Sequence, residues 1–426
     1  MTQLQYALEN KITKEMKIVA KKENIDVNLL REKIAKGLVV IPANINHQNL
    51  NPIGIGSDMK VKVNANIGTS SMKSDLRTEL KKLKVAIDAG ADTMMDLSTS
   101  SDVDKIRKKI IEKCNVPLGT VPLYQAAIEA GEIKKITKDL YLEVFEKQAR
   151  DGIDFATVHA GVTRKSFPLI EKRVMKCVSR GGSFLLEWMS YHNKENFLYE
   201  YFDEIIEIAK KYDVTLSLGD GLRPGCLADA TDKAQIQELK TLGKLSERVK
   251  KEGVQVMIEG PGHIPLNEIE KNVELEKKYC NNSPFYILGP LPTDIATGYD
   301  HIACAIGGAL ACWKGADFIC YVTPKEHIGL PNVDEVREGV IVTKIAAHIA
   351  DLARGNKEAV SRDYKMAKAR EKINWDKMLK YAIDPEKFIK LRNQECLKNP
   401  ELKKEKYCSM CGPFCVFKVY KNRKKK

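Results

Sequence analysis

The sequence predicts an α/β fold: a (β/α)8 TIM barrel with a short N-terminal region and a C-terminal helical, cysteine-bearing extension. Three observations predict it. Short β-rich apolar runs alternate with longer amphipathic stretches through the middle of the 426-residue chain, the pattern of parallel strands covered on both faces by crossover helices. Nine such runs occupy roughly 270 residues, one more than the eight strands of a barrel, so one run is misread or additional. Polar or titratable residues end run after run, among them Asn66, Asp96, His159, Asp220, Glu259 and His327. That placement favours the active face of a barrel over a doubly wound open sheet, which would share the rhythm.

Residues 1–58 are Lys-rich with helical stretches, and Val27, Leu30 and Ile34 fall at helical spacing. The runs that follow are VKVNAN (61–66), DTMMDLS (92–98), PLGTVP (117–122), DFATVHA (154–160), SFLLEW (183–188), VTLSLGD (214–220), VQVMIEG (254–260), FYILG (285–289) and DFICYVT (317–323). Leu198 to Lys211 and Leu239 to Lys251 carry helical patterns between them. After Pro331, Asn332-Val-Asp-Glu335 predicts a capped start to a long helix, with Ile341, Ile345, Ile349 and Leu352 as its apolar stripe. The remainder is charged and helical. The expected organisation is therefore an N-terminal region 1–58, a catalytic barrel 59–355 and a C-terminal segment 356–426.

With 43% hydrophobic and 30% charged residues the chain reads as a soluble globular protein. Neither a secretory leader pattern nor an apolar run of about 18 residues is found, so the expected location is cytoplasmic, with no membrane partner. The formal charge of +13 is concentrated at one end, where residues 401–426 hold nine Lys/Arg against two Asp/Glu. A basic KNRKKK tail reads as a solvated terminus, and no nucleic-acid partner is expected. Eight of the eleven cysteines are scattered singly, which does not make a secreted disulfide framework.

The other three are bunched as Cys408-Ser-Met-Cys411-Gly-Pro-Phe-Cys415. Three thiolates of one short loop can converge on neighbouring iron atoms of a 4Fe-4S cluster and leave one iron open to a small molecule. The competing readings are a zinc knuckle lacking its fourth ligand and an uninvolved tail; no His lies beyond His348 to complete a zinc site. Glu259-Gly-Pro-Gly-His263 joins a strand to a loop, because Gly-Pro-Gly cannot continue a helix, and Tyr321-Val-Thr-Pro-Lys-Glu326-His327 is the matching piece, again strand then loop. His263 and His327 could bind Zn or Fe(II) with open positions, or serve as hydrogen-bonded structural residues. Gly219-Asp220-Gly221-Leu-Arg223-Pro-Gly225 and Ser179-Arg180-Gly181-Gly182 combine guanidinium groups with glycines. Together they resemble a phosphate clamp; alone, either is equally a capped turn with an Arg ion pair.

Taken together, IPANINH, VNANIG, MDLSTS, GTVPLYQA, VHAGV, VSRGGS, LSLGDGLRPG, VQVMIEGPGH, TDIATGYDHI, CYVTPKEH and CSMCG resemble the phosphomethylpyrimidine synthase family, radical S-adenosylmethionine enzymes of thiamin pyrimidine biosynthesis. The resemblance implies conversion of aminoimidazole ribotide to hydroxymethylpyrimidine phosphate, with formate and carbon monoxide released. It implies Asn66, Met95, Tyr124, His159, Ser179, Arg180, Gly181, Asp220, Gly221, Leu222, Arg223, Glu259 and Tyr286 around the substrate, with Glu259 as a catalytic candidate. It places a Zn or Fe(II) ion on His263 and His327, and the 4Fe-4S cluster that activates S-adenosyl-L-methionine on Cys408, Cys411 and Cys415. A homodimer and an electron donor such as ferredoxin or flavodoxin are implied as partners. Two departures stand out: three residues separate Cys411 from Cys415 where many members have four, and Thr297 replaces the usual proline of TDIAPGYDHI. 5-Hydroxybenzimidazole synthase, which acts on the same substrate, is the near alternative. A zinc-dependent barrel hydrolase and a zinc-knuckle nucleic-acid-binding protein are the remote ones.

Overall fold

Eight of the nine runs become the strands of one closed parallel barrel: β1 Lys62–Ile67, β2 Thr93–Asp96, β3 Leu118–Thr120, β4 Phe155–Val158, β5 Thr215–Leu218, β6 Val256–Gly260, β7 Phe285–Leu288 and β8 Phe318–Cys320. This computed structural model describes residues 1–70, 75–403 and 407–423, so the last three residues of the basic tail lie outside the described residues. The strands pair in chain order, and β8 closes on β1 with Phe318 opposite Lys62 and Cys320 opposite Asn64. Among the described residues no helix is long and apolar enough to cross a membrane.

The ninth run, SFLLEW, is a correction: it lies inside the helix Arg180–His192. Ser179 caps that helix, its hydroxyl accepting the Gly182 N–H at 3.2 Å. Leu185, Trp188 and Met189 then meet the core at helical spacing. A short apolar run reads equally as strand or helix until its cap is recognised.

Alternate strand residues point into the barrel. Near the strand starts, aromatic rings fill the interior: Tyr286 stacks on Phe318 with ring centroids 4.1 Å apart, and Phe155 meets Phe318 edge-on at 6.5 Å. Gly119 makes room for this layer, since a Cβ there would lie 2.2 Å from the Phe155 ring. The aromatic layer supports the polar residues above it.

The N-terminal region seals the end of the barrel where the strands begin. Asp154, Asp213 and Gln255 each lie one or two residues before a strand, and each holds this region. His47 pairs through Nδ1 with Asp154 Oδ2 at 2.7 Å and donates from Nε2 to the Cys114 carbonyl at 2.9 Å. The Ile41 N–H donates to Gln255 Oε1 at 2.7 Å, and Gln255 Nε2 donates back to the Ile41 carbonyl at 2.9 Å. The Gln3 N–H donates to Asp213 Oδ2 at 2.9 Å. Leu4, Met16, Val19, Leu30, Ile34 and Ile41 form a second small core, and a two-stranded antiparallel ribbon, Val39–Val40 with Ile55–Gly56, completes the region.

Asn332 and Glu335 cap the long helix Val333–Ala353 reciprocally, the Glu335 N–H on Asn332 Oδ1 at 3.0 Å and the Asn332 N–H on Glu335 Oε2 at 2.8 Å. Its buried face matches the predicted stripe only in part. Val336, Val340, Ile341, Ala346, Ala347 and Ala350 are buried, whereas Ile345 and Ile349 are exposed. The helix backbone approaches closely at Gly339, where a Cβ would lie 2.6 Å from the Val322 carbonyl oxygen. The chain divides into two compact units, Met1–Ala350 and Asp351–Lys426. The second consists of the helices Lys357–Glu371, Trp375–Tyr381, Pro385–Lys398 and Val416–Arg423, with short turns between the last two.

Burial pushes the Asp213 carboxyl up to about 8. The folded state therefore holds this proton where the unfolded chain, with an ordinary value near 3.9, has released it. The contribution of Asp213 to stability falls as pH rises from about 4 to about 8 and levels above that. Asp213→Asn keeps an acceptor for the Gln3 N–H and suits the left-handed backbone at this position (φ 56°). We expect the variant to show a smaller fall in melting temperature between about pH 5 and pH 8.5 than the parent; parallel curves would count against this origin of the slope.

Candidate active site

At the C-terminal ends of the strands lies a cavity of about 90 Å³. Eight of the residues expected around a substrate line it: Asn66, Met95, Tyr124, His159, Asp220, Arg223, Glu259 and Tyr286. They come from strands β1, β2, β6 and β7, from the helix Pro122–Ala130 that follows β3 and from the loops after β4 and β5, and closure of the barrel is what gathers them. Tyr286 OH lies 3.5 Å from Met95 Sδ, and Asn66 Nδ2 lies 3.2 Å from Cys320 Sγ.

One wall is strongly charged. Arg223 Nη1 meets Asp220 Oδ1 at 2.9 Å. Glu259 Oε1 accepts from Thr157 Oγ1 at 2.7 Å and from Ser217 Oγ at 2.6 Å. Burial, reinforced by the nearby Asp220 charge, pushes Glu259 up to about 7, while its two hydroxyl donors and Arg223 pull the other way. A carboxyl raised to this range suits proton transfer near neutral pH. Burial also raises Asp220, with Arg223 opposing.

His159 is the neutral counterpart. Burial first, and the Arg223 charge second, hold it down to about 3. Its Nδ1 is buried without a hydrogen-bond partner. Two glycines give the ring its place: a Cβ at Gly181 would lie 2.3 Å from His159 Cε1, and one at Gly219 would lie 2.9 Å from Cδ2. Gly181 follows Arg180, whose guanidinium stands 4.8 Å from the Tyr124 ring centroid at the same cavity. Ser179, by contrast, is occupied in capping its helix. Gly221 and Leu222 belong to the loop that carries Arg223; a Cβ at Gly221 would meet Val162, and Leu222 is fully buried.

His263 and His327 come together, with ring centroids 5.4 Å apart. Each directs Nδ1 at a carboxylate: His263 at Asp294 Oδ1 (2.8 Å) and His327 at Asp300 Oδ2 (3.4 Å). That arrangement orients each imidazole and leaves its Nε2 as the nitrogen that would face a metal. His327 also holds a left-handed backbone (φ 60°), a strained conformation of the kind found at functional sites. Glu326, pushed up by burial, lies beside the pair.

The three clustered cysteines lie in the second unit on one turn. The Gly412 N–H donates to the Cys408 carbonyl at 3.1 Å, and the Cys415 N–H to the Gly412 carbonyl at 3.2 Å. Gly412 takes a positive φ of 49° to make that turn. All three thiols are free, with Cys408 and Cys411 only half-buried. A soft donor set of three thiols within eight residues, Cys408 and Cys411 half-buried and Cys415 buried, fits the ligand chemistry of an iron–sulfur cluster. Among the described residues no three His, Cys, Asp or Glu side chains converge as a ready-made metal cage.

Sequence reading missed Thr157, Ser217 and Cys320. The hydroxyls sit mid-strand in apolar runs, where a small polar residue carries no distinctive signal, and Cys320 reads as another buried apolar cysteine. A period-two count inward from Glu259 and Tyr286 across the paired strands would have found all three.

The profile of the Radical SAM ThiC family matches residues 2–422. The chain is 56% identical over 425 residues to the phosphomethylpyrimidine synthase of Thermoanaerobacter sp. (strain X514), covering 98% of this chain and 97% of that protein. It is 56% identical over 429 residues to the phosphomethylpyrimidine synthase of Carboxydothermus hydrogenoformans, covering 99% of each. With Geobacter metallireducens phosphomethylpyrimidine synthase the identity is 53% over 425 residues, 98% of this chain and 96% of that one. By its sequence over residues 2–422, this chain belongs to the Radical SAM ThiC family.

Proposed function

We infer that the chain catalyses the radical S-adenosylmethionine-dependent conversion of aminoimidazole ribotide to hydroxymethylpyrimidine phosphate, with release of formate and carbon monoxide, in thiamin pyrimidine biosynthesis. The observation that carries this reading is identity of 52–56% over nearly the whole chain to relatives named phosphomethylpyrimidine synthase. The same identity favours it over hydroxybenzimidazole synthesis, a zinc hydrolase or a zinc-knuckle nucleic-acid-binding protein.

Residue roles follow from the chemistry of the cavity. Arg223, held protonated by Asp220 and Glu259, and Arg180 supply guanidinium forks for phosphate or other polar groups of the ribotide. Asn66 and neutral His159 supply hydrogen bonds without adding charge, while Met95, Tyr124 and Tyr286 pack on the base and ribose. Glu259, poised near neutrality, takes up or returns a proton at its carboxyl oxygen. Cys408, Cys411 and Cys415 hold the 4Fe-4S cluster, which with S-adenosyl-L-methionine supplies hydrogen-atom abstraction when bound. His263 and His327 hold a Zn or Fe(II) ion. A ferredoxin or flavodoxin supplies electrons. A homodimer is supported by Ile302, Ile306, Ile345 and Ile349, which are exposed on two helices that meet where His301 Nε2 lies 3.6 Å from Glu338 Oε1.

Anaerobically purified protein should carry about four iron and four sulfide per chain and convert ribotide to hydroxymethylpyrimidine phosphate in the presence of S-adenosylmethionine and a reductant. Colourless zinc protein, or hydroxybenzimidazole as product, would overturn the reading. Arg223→Ala should weaken ribotide binding by about tenfold to a hundredfold in calorimetry, the range for losing a charge-assisted hydrogen bond, with iron content unchanged; undiminished affinity would remove Arg223 from this role. Native mass spectrometry should give a particle of twice 47.9 kDa, and a monomer at micromolar concentration would argue against the dimer.

A further inference from the structure

Behind the charged wall, away from the substrate cavity, lies a second and much smaller space of about 20 Å³. Asp220, Arg223, Glu259 and Gly260 line both spaces, so these residues form a partition with the ribotide cavity on one side. On the other side stands Glu238, which the reaction scheme above does not use. It is 2% exposed and lies on the helix Lys233–Lys251.

One Glu238 oxygen, Oε2, accepts the Leu222 N–H at 2.7 Å. The carbonyl of the same residue accepts from Arg173 Nη2 at 2.7 Å. Arg173 is in turn anchored on Asp232 through Nε to Oδ2 and Nη2 to Oδ1, both at 2.8 Å. Asp232 caps the helix that carries Glu238, accepting the Gln235 N–H at 2.8 Å. Both main-chain polar groups of Leu222 are thus gripped by buried side chains, an acid and a guanidinium, themselves tied to one helix N-terminus. Leu222 immediately precedes Arg223 and lies two residues after Asp220. Loops ordinarily satisfy such groups with water or neighbouring backbone, so an acid and a base committed to a single residue is an expensive arrangement unless that residue's position matters.

The remaining atoms point the same way. Glu238 Oε1 and Asp220 Oδ2 are both buried without a hydrogen-bond partner, and both residues line the small space, together with Gln235 and Asn272. A space of this size admits one water, and a water needs two to four polar partners. Burial and the Asp220 charge raise the Glu238 carboxyl well above the usual range, which suits a protonated acid able to donate into the space while accepting from Leu222.

We propose that Glu238 and Arg173 are positioning residues for the Asp220–Arg223 pair, acting through the two polar groups of Leu222 and through a single water shared by Glu238 and Asp220. The proposal rests on the activity inferred above, in which Arg223 meets the ribotide. It adds a supporting layer that no substrate atom touches.

The test compares the parent with Glu238→Ala, Glu238→Gln and Arg173→Lys, using ribotide titration calorimetry, S-adenosylmethionine binding, iron content and melting temperature. Glu238→Ala should weaken ribotide binding by about tenfold, the order of one buried hydrogen bond to a charged group, while iron content and S-adenosylmethionine affinity hold. Glu238→Gln mimics the protonated acid and should recover affinity to within about threefold of the parent. Arg173→Lys keeps the charge but cannot hold Asp232 and Leu222 together, and should cost about threefold. If Glu238→Ala does not fold, the Gln and Lys variants carry the comparison. A merely structural role would lower the melting temperature of Glu238→Ala and leave the affinity of its folded fraction unchanged, and that result would overturn the proposal. So would a Gln variant as weak as the Ala variant, or Arg173→Lys binding as tightly as the parent. A parent protein that does not bind ribotide would overturn the activity reading instead, so the two failures are separable.

Discussion

Closure of β8 onto β1 is the constraint on which the rest of the molecule depends. Pairing Phe318 with Lys62 and Cys320 with Asn64 removes the last open sheet edge and turns eight separate strand ends into a ring around one cavity. Period-two alternation then decides what the ring presents. Asn66, Met95, Glu259 and Tyr286 come from four strands, yet adjacent pairs lie directly opposite one another, Asn66 with Met95 and Glu259 with Tyr286. A slip of one residue in any strand would turn its contribution outward. The aromatic layer of Phe155, Tyr286 and Phe318 and the N-terminal region seal the barrel from the other end, so polar residues are buried without being flooded.

That dryness explains the electrostatics of the mouth. In bulk water Glu259 and Asp220 would be ordinary carboxylates and His159 an ordinary imidazole. Here burial is the largest influence on each, raising the acids and lowering the base. Arg223 remains charged because it has Asp220 at 2.9 Å and Glu259 nearby. The result is a cavity that sets a charged Arg223 beside a titrating Glu259 and a neutral His159. Buried charge of this kind is poor value for stability, and such perturbed groups concentrate at functional sites. The His47–Asp154 pair at the opposite end is a different use of the same physics. Its partners are satisfied on every side, and it ties the N-terminal region to the barrel floor.

How much of this could be read in the sequence depended on whether a signal was local. The barrel was legible because each strand buried on both faces is apolar on its own, and the chemistry gathers at the strand ends whatever the helices do. SFLLEW was misread because an apolar stretch looks alike in a strand and in a core helix, and the deciding cap at Ser179 lies outside the run. The inner face of Val333–Ala353 was read only in part: Ile341 is buried as expected, but Ile345 and Ile349 face outward while Ala346, Ala347 and Ala350 pack inward. Thr157, Ser217 and the His47–Asp154 pair left no trace, since each acquires its meaning from a partner between 42 and 107 residues away.

By itself, then, the sequence determined the barrel, the residue types at its mouth, the paired histidines and the three-cysteine loop, since all of these are written in short contiguous motifs. Tertiary structure alone decided which of those residues share a cavity and in what charge state. It assigned Ser179 to a helix cap while placing Arg180 beside Tyr124. It also brought Glu238 and Arg173, from two segments with no recognisable motif, onto the single residue Leu222. The physical reason is that burial and hydrogen-bond partnership are properties of a closed, three-dimensional neighbourhood, and no stretch of chain carries them until the barrel has shut.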